Sequence, residues 1–265
     1  MLISINPVPL RLGELGVGWF GLAALVGLLA GIALTLRLAR MEGLPRGPLL
    51  DALAWAIPVG VVAARLVYVL GTWDQHVGDG ENLWQLPLTG LSLWGGLLGG
   101  GAVALSVLGA RGVDRRRAAD VAAPGLALGI AIGRFGELLQ GVGQGLPTPL
   151  PWGVVYASPL AGAPDVGVPR HPAQLYDGVL ALVLLGALLL SRRWTVAPGV
   201  RWWTFVAVYG AGRMLLGELR LDPAFLFGLQ IEQLLAGVAV LVALLALLAS
   251  LIRLLAARPA RSLST

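Results

Sequence analysis

Long apolar runs recur along this chain, and they restrict its fold more than any other feature. The seven runs span residues 17–37, 49–71, 88–110, 118–139, 172–191, 201–218 and 229–253. A helix of about 20 apolar residues crosses the hydrocarbon core of a bilayer and satisfies its own backbone hydrogen bonds there. The sequence therefore predicts an all-α polytopic membrane protein with about seven transmembrane helices.

Composition excludes several other classes of protein. The chain is 57% hydrophobic and 12% charged, whereas about 25% of the residues in a soluble domain are charged. It has no cysteine, which excludes disulfides, thiolate nucleophiles and thiolate metal sites. Its two histidines, His76 and His171, are too few for a histidine metal cluster. We expect neither a metal site nor a bound cofactor.

The arginines are distributed unevenly between the connections, and this distribution predicts the orientation. All 19 basic residues are arginine. Thirteen of them follow the first, third, fifth and seventh runs: Arg37, Arg40, Arg46, Arg111, Arg115, Arg116, Arg117, Arg192, Arg193, Arg201, Arg253, Arg258 and Arg261. Only Arg11, Arg170 and Arg220 lie on the other side. Because arginine-rich loops stay in the cytoplasm, we expect the amino terminus outside and the carboxyl terminus inside.

The chain reads as a single membrane domain over residues 1–265, with no internal repeat. The excess of positive charge is explained by arginines in the connections on one side of the predicted spans. We therefore expect membrane lipids and no nucleic acid as partners. No cleavage site follows the first run, and the first helix is expected to stay in the mature protein. The proline-rich segment 140–170 predicts an ordered cap on the outer surface, and residues 254–265 predict a basic cytoplasmic tail near anionic lipids.

Three arginines lie inside the predicted spans, where charge is costly. Arg65, Arg134 and Arg213 each cost about 2.5–3.5 kcal/mol at a bilayer centre, so each needs a partner or a water-filled cavity. Glu137 follows Arg134 by three positions on the same helical face, and Glu218 lies within two turns of Arg213. Structural ion pairs are one interpretation. The other is an anionic lipid headgroup, because a guanidinium binds phosphate oxygens through two parallel hydrogen bonds.

Two helix starts contain unusual residues. Residues 95–101 include five glycines, among them Gly95 and Gly96, which allow backbone to approach either a lipid or a neighbouring helix. The fifth run opens with His171 and Pro172, and Gln174 follows. His171 or Gln174 could face an outer cavity, although a lone histidine is more often a hydrogen-bonded structural group.

Taken in order, these stretches resemble the prolipoprotein diacylglyceryl transferases of bacterial inner membranes, over about residues 18–237. The resemblance rests on Gly18 to Gly21, Arg65 with Tyr68, Ser92 to Gly96, Asp120 through Arg134 to Gly136, Pro151 to Gly153, Arg170 to Tyr176, Gly212 to Asp222, and Gln233. It implies a seven-helix membrane body with an outer cap. It also implies transfer of the diacylglyceryl group of phosphatidylglycerol to the lipobox cysteine of a prolipoprotein, with thioether formation and release of glycerol phosphate, as the first step of lipoprotein maturation.

The resemblance also implies roles for individual residues. Arg134 and Arg213 match the two family arginines that hold the phosphate, and the thiol nucleophile belongs to the substrate. Because this chain lacks the family's histidine and acidic residue, we expect Glu137 or His171 to supply proton transfer. The residues implied to bind substrate are Arg65, Tyr68, Gly95, Gly96, Gln140, His171, Gln174, Tyr176, Glu218 and Arg220. Phosphatidylglycerol and lipobox prolipoproteins are the implied partners.

Five positions depart from the family pattern. Trp94 stands where the family has histidine, Glu137 and Gln140 where it has asparagine, Val142 where it has an acidic residue, and Phe20 where it has tyrosine. These departures motivate an alternative, a paralogue that binds phosphatidylglycerol or lipoprotein precursors without transferring anything. A small-solute transporter is a further alternative, but the broken helices or inverted repeat that it needs are not visible in the sequence.

Overall fold

Seven α-helices make up the body of the chain in the computed structural model, which describes residues 1–12, 15–73, 90–158, 161 and 165–256. The helices are α1 Trp19–Met41, α2 Arg46–Gly71, α3 Leu93–Ala110, α4 Arg115–Gln140, α5 Ala173–Ser191, α6 Val200–Gly217 and α7 Ile231–Ala256. Six of these seven are long and apolar enough to cross a membrane, and the exception is α6. The all-α polytopic membrane fold is therefore confirmed.

The helix bounds differ from the sequence prediction by a few residues, chiefly where capping decides them. The third helix begins at Leu93 rather than at residue 88, because the Ser92 hydroxyl caps it by accepting a hydrogen bond from Gly95 N at 3.1 Å. Residues 88 and 89 lie outside the described residues, as do His76 and most of the predicted tail, residues 257–265. The first helix continues to Met41, four residues further than predicted.

Glycines bring two pairs of helices into close contact. Gly31 of α1 lies against α4, where a Cβ atom at this position would be 2.6 Å from the carbonyl oxygen of Gly125. Gly95 of α3 lies against α2, where a Cβ would be 2.6 Å from the Ala63 carbonyl oxygen. Backbone-to-backbone approach of this kind is a common way to associate helices in a membrane.

Short strands and loops cover one end of the bundle, which we call the cap end. Strand β1 (Leu2–Ile3) pairs in parallel with β4 (Val155–Tyr156), and β2 (Leu10–Leu12) pairs antiparallel with β3 (Leu15–Val17). Gly141 has a φ of +81° and ends α4, so that the chain turns into this layer. The cap end thus lies over the start of α1, the end of α4 and the start of α5.

The opposite end of the bundle, which we call the far end, is tied together by polar contacts. The buried carboxylate of Asp120 accepts hydrogen bonds from the backbone N–H groups of Gly199 at 2.7 Å and Trp202 at 2.8 Å, and it thereby caps α6 from α4. Ion pairs join Arg192 to Glu42 at 2.7 Å and Arg111 to Asp51 at 2.8 Å.

We expect Gly31→Ala to destabilise the bundle, because the added methyl group must push α1 away from the backbone of α4. Overpacking of this kind costs about 1–3 kcal/mol. Gly101→Ala is the matched control, since no atom lies within 4 Å of the added Cβ there, and replacing a helical glycine stabilises by about 0.5–1 kcal/mol. Thermal unfolding in detergent measures both variants, and equal melting temperatures would contradict the packing account.

Candidate functional site

A buried charged cluster lies between α4, α5 and α6 near the cap end. Arg134 donates from Nη1 to both carboxylate oxygens of Glu137 at 2.7 Å, and its Nε lies 2.9 Å from Oδ2 of Asp177. Arg213 donates from Nη1 to the same Oδ2 at 3.2 Å. We call Arg134, Glu137, Asp177 and Arg213 the arginine cluster. One carboxylate oxygen of Asp177 therefore joins the two intramembrane arginines.

Local sequence explains how α4 and α5 approach closely enough to form the cluster. Gly178 follows Asp177 on α5, and a Cβ at this glycine would lie 3.4 Å from the Cβ of Arg134. Gly136 lets α4 pack on α1, where a Cβ would be 2.8 Å from the carbonyl oxygen of Trp19. Helix α4 thus lies close to both α5 and α1, and Glu137, one turn further along α4, reaches Arg134 as the sequence spacing predicts.

The charged side chains of the cluster are buried, so each one needs an opposite charge in contact with it. Asp177 is completely buried, and Arg134 and Arg213 are 8% and 3% exposed. An isolated charge in such a place is expensive, whereas opposite charges in contact compensate each other. Nε of Arg213 has no hydrogen-bond partner among the described residues. Arg213 therefore has one buried donor that no described group accepts from.

Aromatic side chains close one side of the cluster. The buried Tyr209 hydroxyl lies 3.5 Å from Nη2 of Arg134, and its ring stacks on Phe205 with centroids 5.8 Å apart. Trp94 lies 6.3 Å from the Tyr209 ring between centroids. Its indole Nε1 is buried without a partner in the described structure. The ring of Tyr209 thus separates Arg134 from Trp94, the residue that replaces the family histidine.

A second ion pair lies beside the cluster, in the loop after α6. Nε of Arg220 is 2.6 Å from Oδ2 of Asp222. Although burial alone would raise the pKa of Asp222, the Arg220 guanidinium lowers it below its ordinary value. A Cβ on Gly143 would lie 2.7 Å from Nη2 of Arg220 and 3.3 Å from Oε2 of Glu137. The loop after α4 therefore passes close to both groups, and its φ of +66° at Gly143 is one that residues with a side chain rarely adopt.

Two glutamines fix the end of α4 and the loop that follows. The amide of Gln174 donates to the carbonyl oxygen of Val142 at 2.6 Å, and Oε1 of Gln140 accepts from the backbone N–H of Phe20 at 2.8 Å. Gln174 is completely buried. These contacts position the backbone next to the cluster.

Other sequence-predicted residues lie around the cluster rather than in it. Nδ1 of His171 is 3.3 Å from the hydroxyl of Tyr176, which also accepts a hydrogen bond from the Trp152 indole at 2.8 Å. Glu218 accepts a hydrogen bond from the Gln233 side chain at 2.8 Å. The acidic partner of Arg213 is thus on another helix, not the nearby Glu218.

Arg65 and Tyr68 form a separate group on α2. The guanidinium of Arg65 lies 5.5 Å from the centroid of the Tyr68 ring and donates to the carbonyl oxygen of Gly90 at 3.3 Å. Gly95 and Gly96 are on the neighbouring α3 and face α2. This group borders the start of α3, where Ser92 also hydrogen-bonds to Glu232 of α7.

An apolar groove of about 290 Å³ lies between α4 and α5 beside the cluster. Phe135, Leu138, Leu175 and Val179 line it, together with Gln174. Because Gly178 also borders this groove and lies directly against Arg134, apolar space and guanidinium charge are adjacent here.

Sequence reasoning missed three residues of this region: Asp177, Tyr209 and Asp222. Asp177 carried a usable signal, because it is an acidic residue within the apolar run 172–191, and the cost argument that singled out the arginines applies equally to it. Tyr209 had no such signal, since a tyrosine in an apolar helix is unremarkable until its neighbours are known.

Comparison with known proteins gives one consistent result. The family model described as prolipoprotein diacylglyceryl transferase matches residues 7–249. A protein of Bacillus velezensis named phosphatidylglycerol–prolipoprotein diacylglyceryl transferase is 31% identical over 254 residues, which cover 91% of this chain and 90% of that protein. Proteins of the same name from Synechococcus elongatus (30% identity, 89% and 84% coverage) and Lysinibacillus sphaericus (28% identity, 92% of both chains) are also similar.

We expect Asp177→Asn to destabilise the protein strongly, because two buried guanidinium groups lose the carboxylate that they share. Loss of one member of a buried ionic group costs about 3–5 kcal/mol. Asp51→Asn is the matched control: its pair with Arg111 is exposed, and such pairs contribute about 1 kcal/mol or less. The measurement is thermal unfolding of both variants in one detergent. If Asp177→Asn behaves like Asp51→Asn, Asp177 does not organise the cluster.

Proposed function

Since the chain belongs to the prolipoprotein diacylglyceryl transferase family, we propose that it transfers the diacylglyceryl group of phosphatidylglycerol to the lipobox cysteine of prolipoproteins. This is the first step of lipoprotein maturation. The observation that carries the proposal is the pair of buried guanidinium groups, those of Arg134 and Arg213, on one carboxylate. Two arginines in a water-poor place match the phosphate of a lipid headgroup in charge and geometry.

The proposed reaction is a displacement at the carbon of the diacylglyceryl group that is bonded to the phosphate oxygen. The cysteine sulfur of the prolipoprotein forms a bond to this carbon while the bond from carbon to the phosphate oxygen breaks. The oxygen keeps the bonding electron pair, and glycerol phosphate leaves with one more negative charge than the phosphodiester had. The thiol proton must go to a base. A thioether and glycerol phosphate are the products.

In this reaction Arg134 and Arg213 stabilise the charge that develops on the leaving phosphate. Donors that are already oriented by their protein partners stabilise a transition state without having to reorganise. Asp177 supplies this orientation, because its Oδ2 contacts both guanidinium groups. Arg213 in addition has a free Nε donor among the described contacts.

We propose Glu137 as the base that accepts the thiol proton. Both oxygens of its carboxylate accept hydrogen bonds from Nη1 of Arg134. A phosphate bound to Arg134 competes for the same donor and releases the carboxylate. Phosphate binding thus frees the Glu137 carboxylate to accept the thiol proton.

The remaining proposed substrate-binding residues lie around the cluster or in the separate group on α2 and α3. They are Arg65, Tyr68, Gly95, Gly96, Gln140, His171, Gln174, Tyr176, Glu218 and Arg220. The apolar groove beside Gln174 suits an acyl chain, since its lining is almost entirely hydrocarbon and it adjoins Arg134 through Gly178. Headgroup and acyl chain can then bind side by side.

We propose that the chain is a single domain of the bacterial inner membrane, with the cap segment 140–170 and the amino terminus outside. The tail 254–265 is then cytoplasmic. The distribution of arginines between the two sides of the predicted spans supports this orientation. Lipobox prolipoproteins reach their lipid partner at the outer side in this arrangement.

A second candidate is a family member that binds phosphatidylglycerol without transferring it. Trp94 favours this candidate, because an indole cannot accept a proton and its buried Nε1 makes no hydrogen bond in the described structure. The two candidates differ in product formation. A lipobox peptide incubated with phosphatidylglycerol gains the diacylglyceryl mass only if the chain is an active transferase.

We expect Arg134→Lys and Arg213→Lys each to reduce transfer by about 100-fold or more, as loss of a transition-state donor does. Lysine keeps the charge but cannot donate two parallel hydrogen bonds to phosphate. Arg201→Lys is the matched control on α6, where Arg201 donates to the backbone carbonyl oxygens of Ser191 and Trp194 at the far end. Mass spectrometry of the peptide measures transfer, and full activity of both lysine variants would contradict the proposed phosphate site.

We expect Glu137→Gln to lower kcat by about 10²–10⁴-fold without raising KM for phosphatidylglycerol, because glutamine cannot accept the thiol proton and no longer neutralises Arg134. Glu42→Gln removes a carboxylate from an ion pair at the far end and serves as the control. Initial rates at varied lipid concentration separate kcat from KM. An unchanged kcat would mean that Glu137 is only a partner of Arg134.

A further inference from the structure

A cavity at the far end of the bundle, remote from the arginine cluster, has the features of a second phosphate-binding site. Its volume is about 480 Å³, and it lies between the end of α1 and the start of α2. Arg37, Arg40 and Arg46 line it. All three side chains are exposed, so their guanidinium groups are accessible to a ligand.

The ion pairs at this end leave these three arginines without acidic partners. Glu42 lies in the sequence between Arg40 and Gly43, which line the cavity, but it pairs with Arg192 of the loop after α5. Asp51 of α2 pairs with Arg111 after α3. Among the described residues no ion pair involves Arg37, Arg40 or Arg46. The nearby carboxylates therefore compensate other arginines, and the cavity keeps its positive charge.

The remaining wall of the cavity is apolar, and this favours a lipid over a free ion. Ala33, Leu36, Leu44 and Leu49 line it. From Ala33 to Arg40 the cavity follows α1 for about 10 Å, from within the apolar helix to its charged end. A ligand that fills it has an anionic head and a hydrocarbon stem.

We propose that this cavity binds the phosphate headgroup of an anionic phospholipid from the leaflet at the far end of the bundle. The three guanidinium groups contact the phosphate, and the apolar wall contacts the beginning of an acyl chain. The site is separate from the arginine cluster and does not depend on the proposed transfer reaction. It anchors the α1–α2 turn to anionic lipid in the leaflet opposite the cap end.

General attraction between basic loops and anionic membranes is the competing explanation, and the chain contains a control for it. Arg115, Arg116 and Arg117 open α4 at the same end and carry the same charge, but they do not line the cavity. Replacing either triplet by glutamine removes three positive charges. Only the cavity triplet removes the proposed contacts.

The experiment is native mass spectrometry of the full-length chain, purified in detergent and mixed with phosphatidylglycerol and phosphatidylcholine. We expect the triple variant with Arg37→Gln, Arg40→Gln and Arg46→Gln to bind one anionic lipid fewer, with roughly tenfold weaker affinity for that lipid, as loss of charge-assisted hydrogen bonds predicts. The control variant with Arg115→Gln, Arg116→Gln and Arg117→Gln should retain it. Equal losses in the two variants, or no loss in either, would overturn the proposal.

Two additions keep the test decisive. Ala33→Phe narrows the cavity without changing its charge, and it should also remove the lipid. This variant keeps the proposal testable if the triple glutamine variant fails to fold. Inorganic phosphate is the second probe: displacement of the lipid by millimolar phosphate, with Ala33→Phe binding lipid normally, would assign the cavity to a free phosphate ion and overturn the lipid proposal. Peptide transfer should stay unchanged in every cavity variant, so failure of this proposal is distinguishable from failure of the transferase proposal.

Discussion

The carboxylate of Asp177 holds two arginines inside the membrane-embedded body, and the geometry of the candidate site follows from that contact. A guanidinium buried among apolar helices is expensive, and one carboxylate oxygen that contacts both Arg134 and Arg213 compensates the two charges together. Glu137 completes the compensation of Arg134 from the same helix. The arginines are therefore fixed before any ligand arrives, which is the condition for stabilising a charged transition state.

Close helix packing makes this contact possible. Gly178 of α5 lacks a side chain where it meets α4, and Gly136 of α4 lacks one where it meets α1. Helix α4 therefore lies close to both α5 and α1. The loop after α4 then returns past the cluster, where Gly143 leaves space between Arg220 and Glu137. In the proposed mechanism, a lipid phosphate competes with Glu137 for Arg134. The ion pair between Arg134 and Glu137 would then couple phosphate binding to release of the carboxylate that we propose as the base.

Sequence patterns predicted the elements of this arrangement better than their contacts. Apolar runs predicted the seven helices, and the spacing of Arg134 and Glu137 predicted their ion pair. The partner of Arg213 was not predictable from local spacing, because Asp177 is 36 positions away and reaches it only through the packing of α5 on α6. Helix ends such as that at Ser92 depended on capping, which periodicity does not report.

A structure with bound phosphatidylglycerol tests the central claim most directly, because the claim concerns where one phosphate binds. We expect the phosphate oxygens within hydrogen-bond distance, about 2.7–3.2 Å, of both Arg134 and Arg213, with the Glu137 carboxylate displaced from Arg134 and Asp177 still in contact with both arginines. A phosphate bound elsewhere, with the pair between Arg134 and Glu137 intact, would contradict the account.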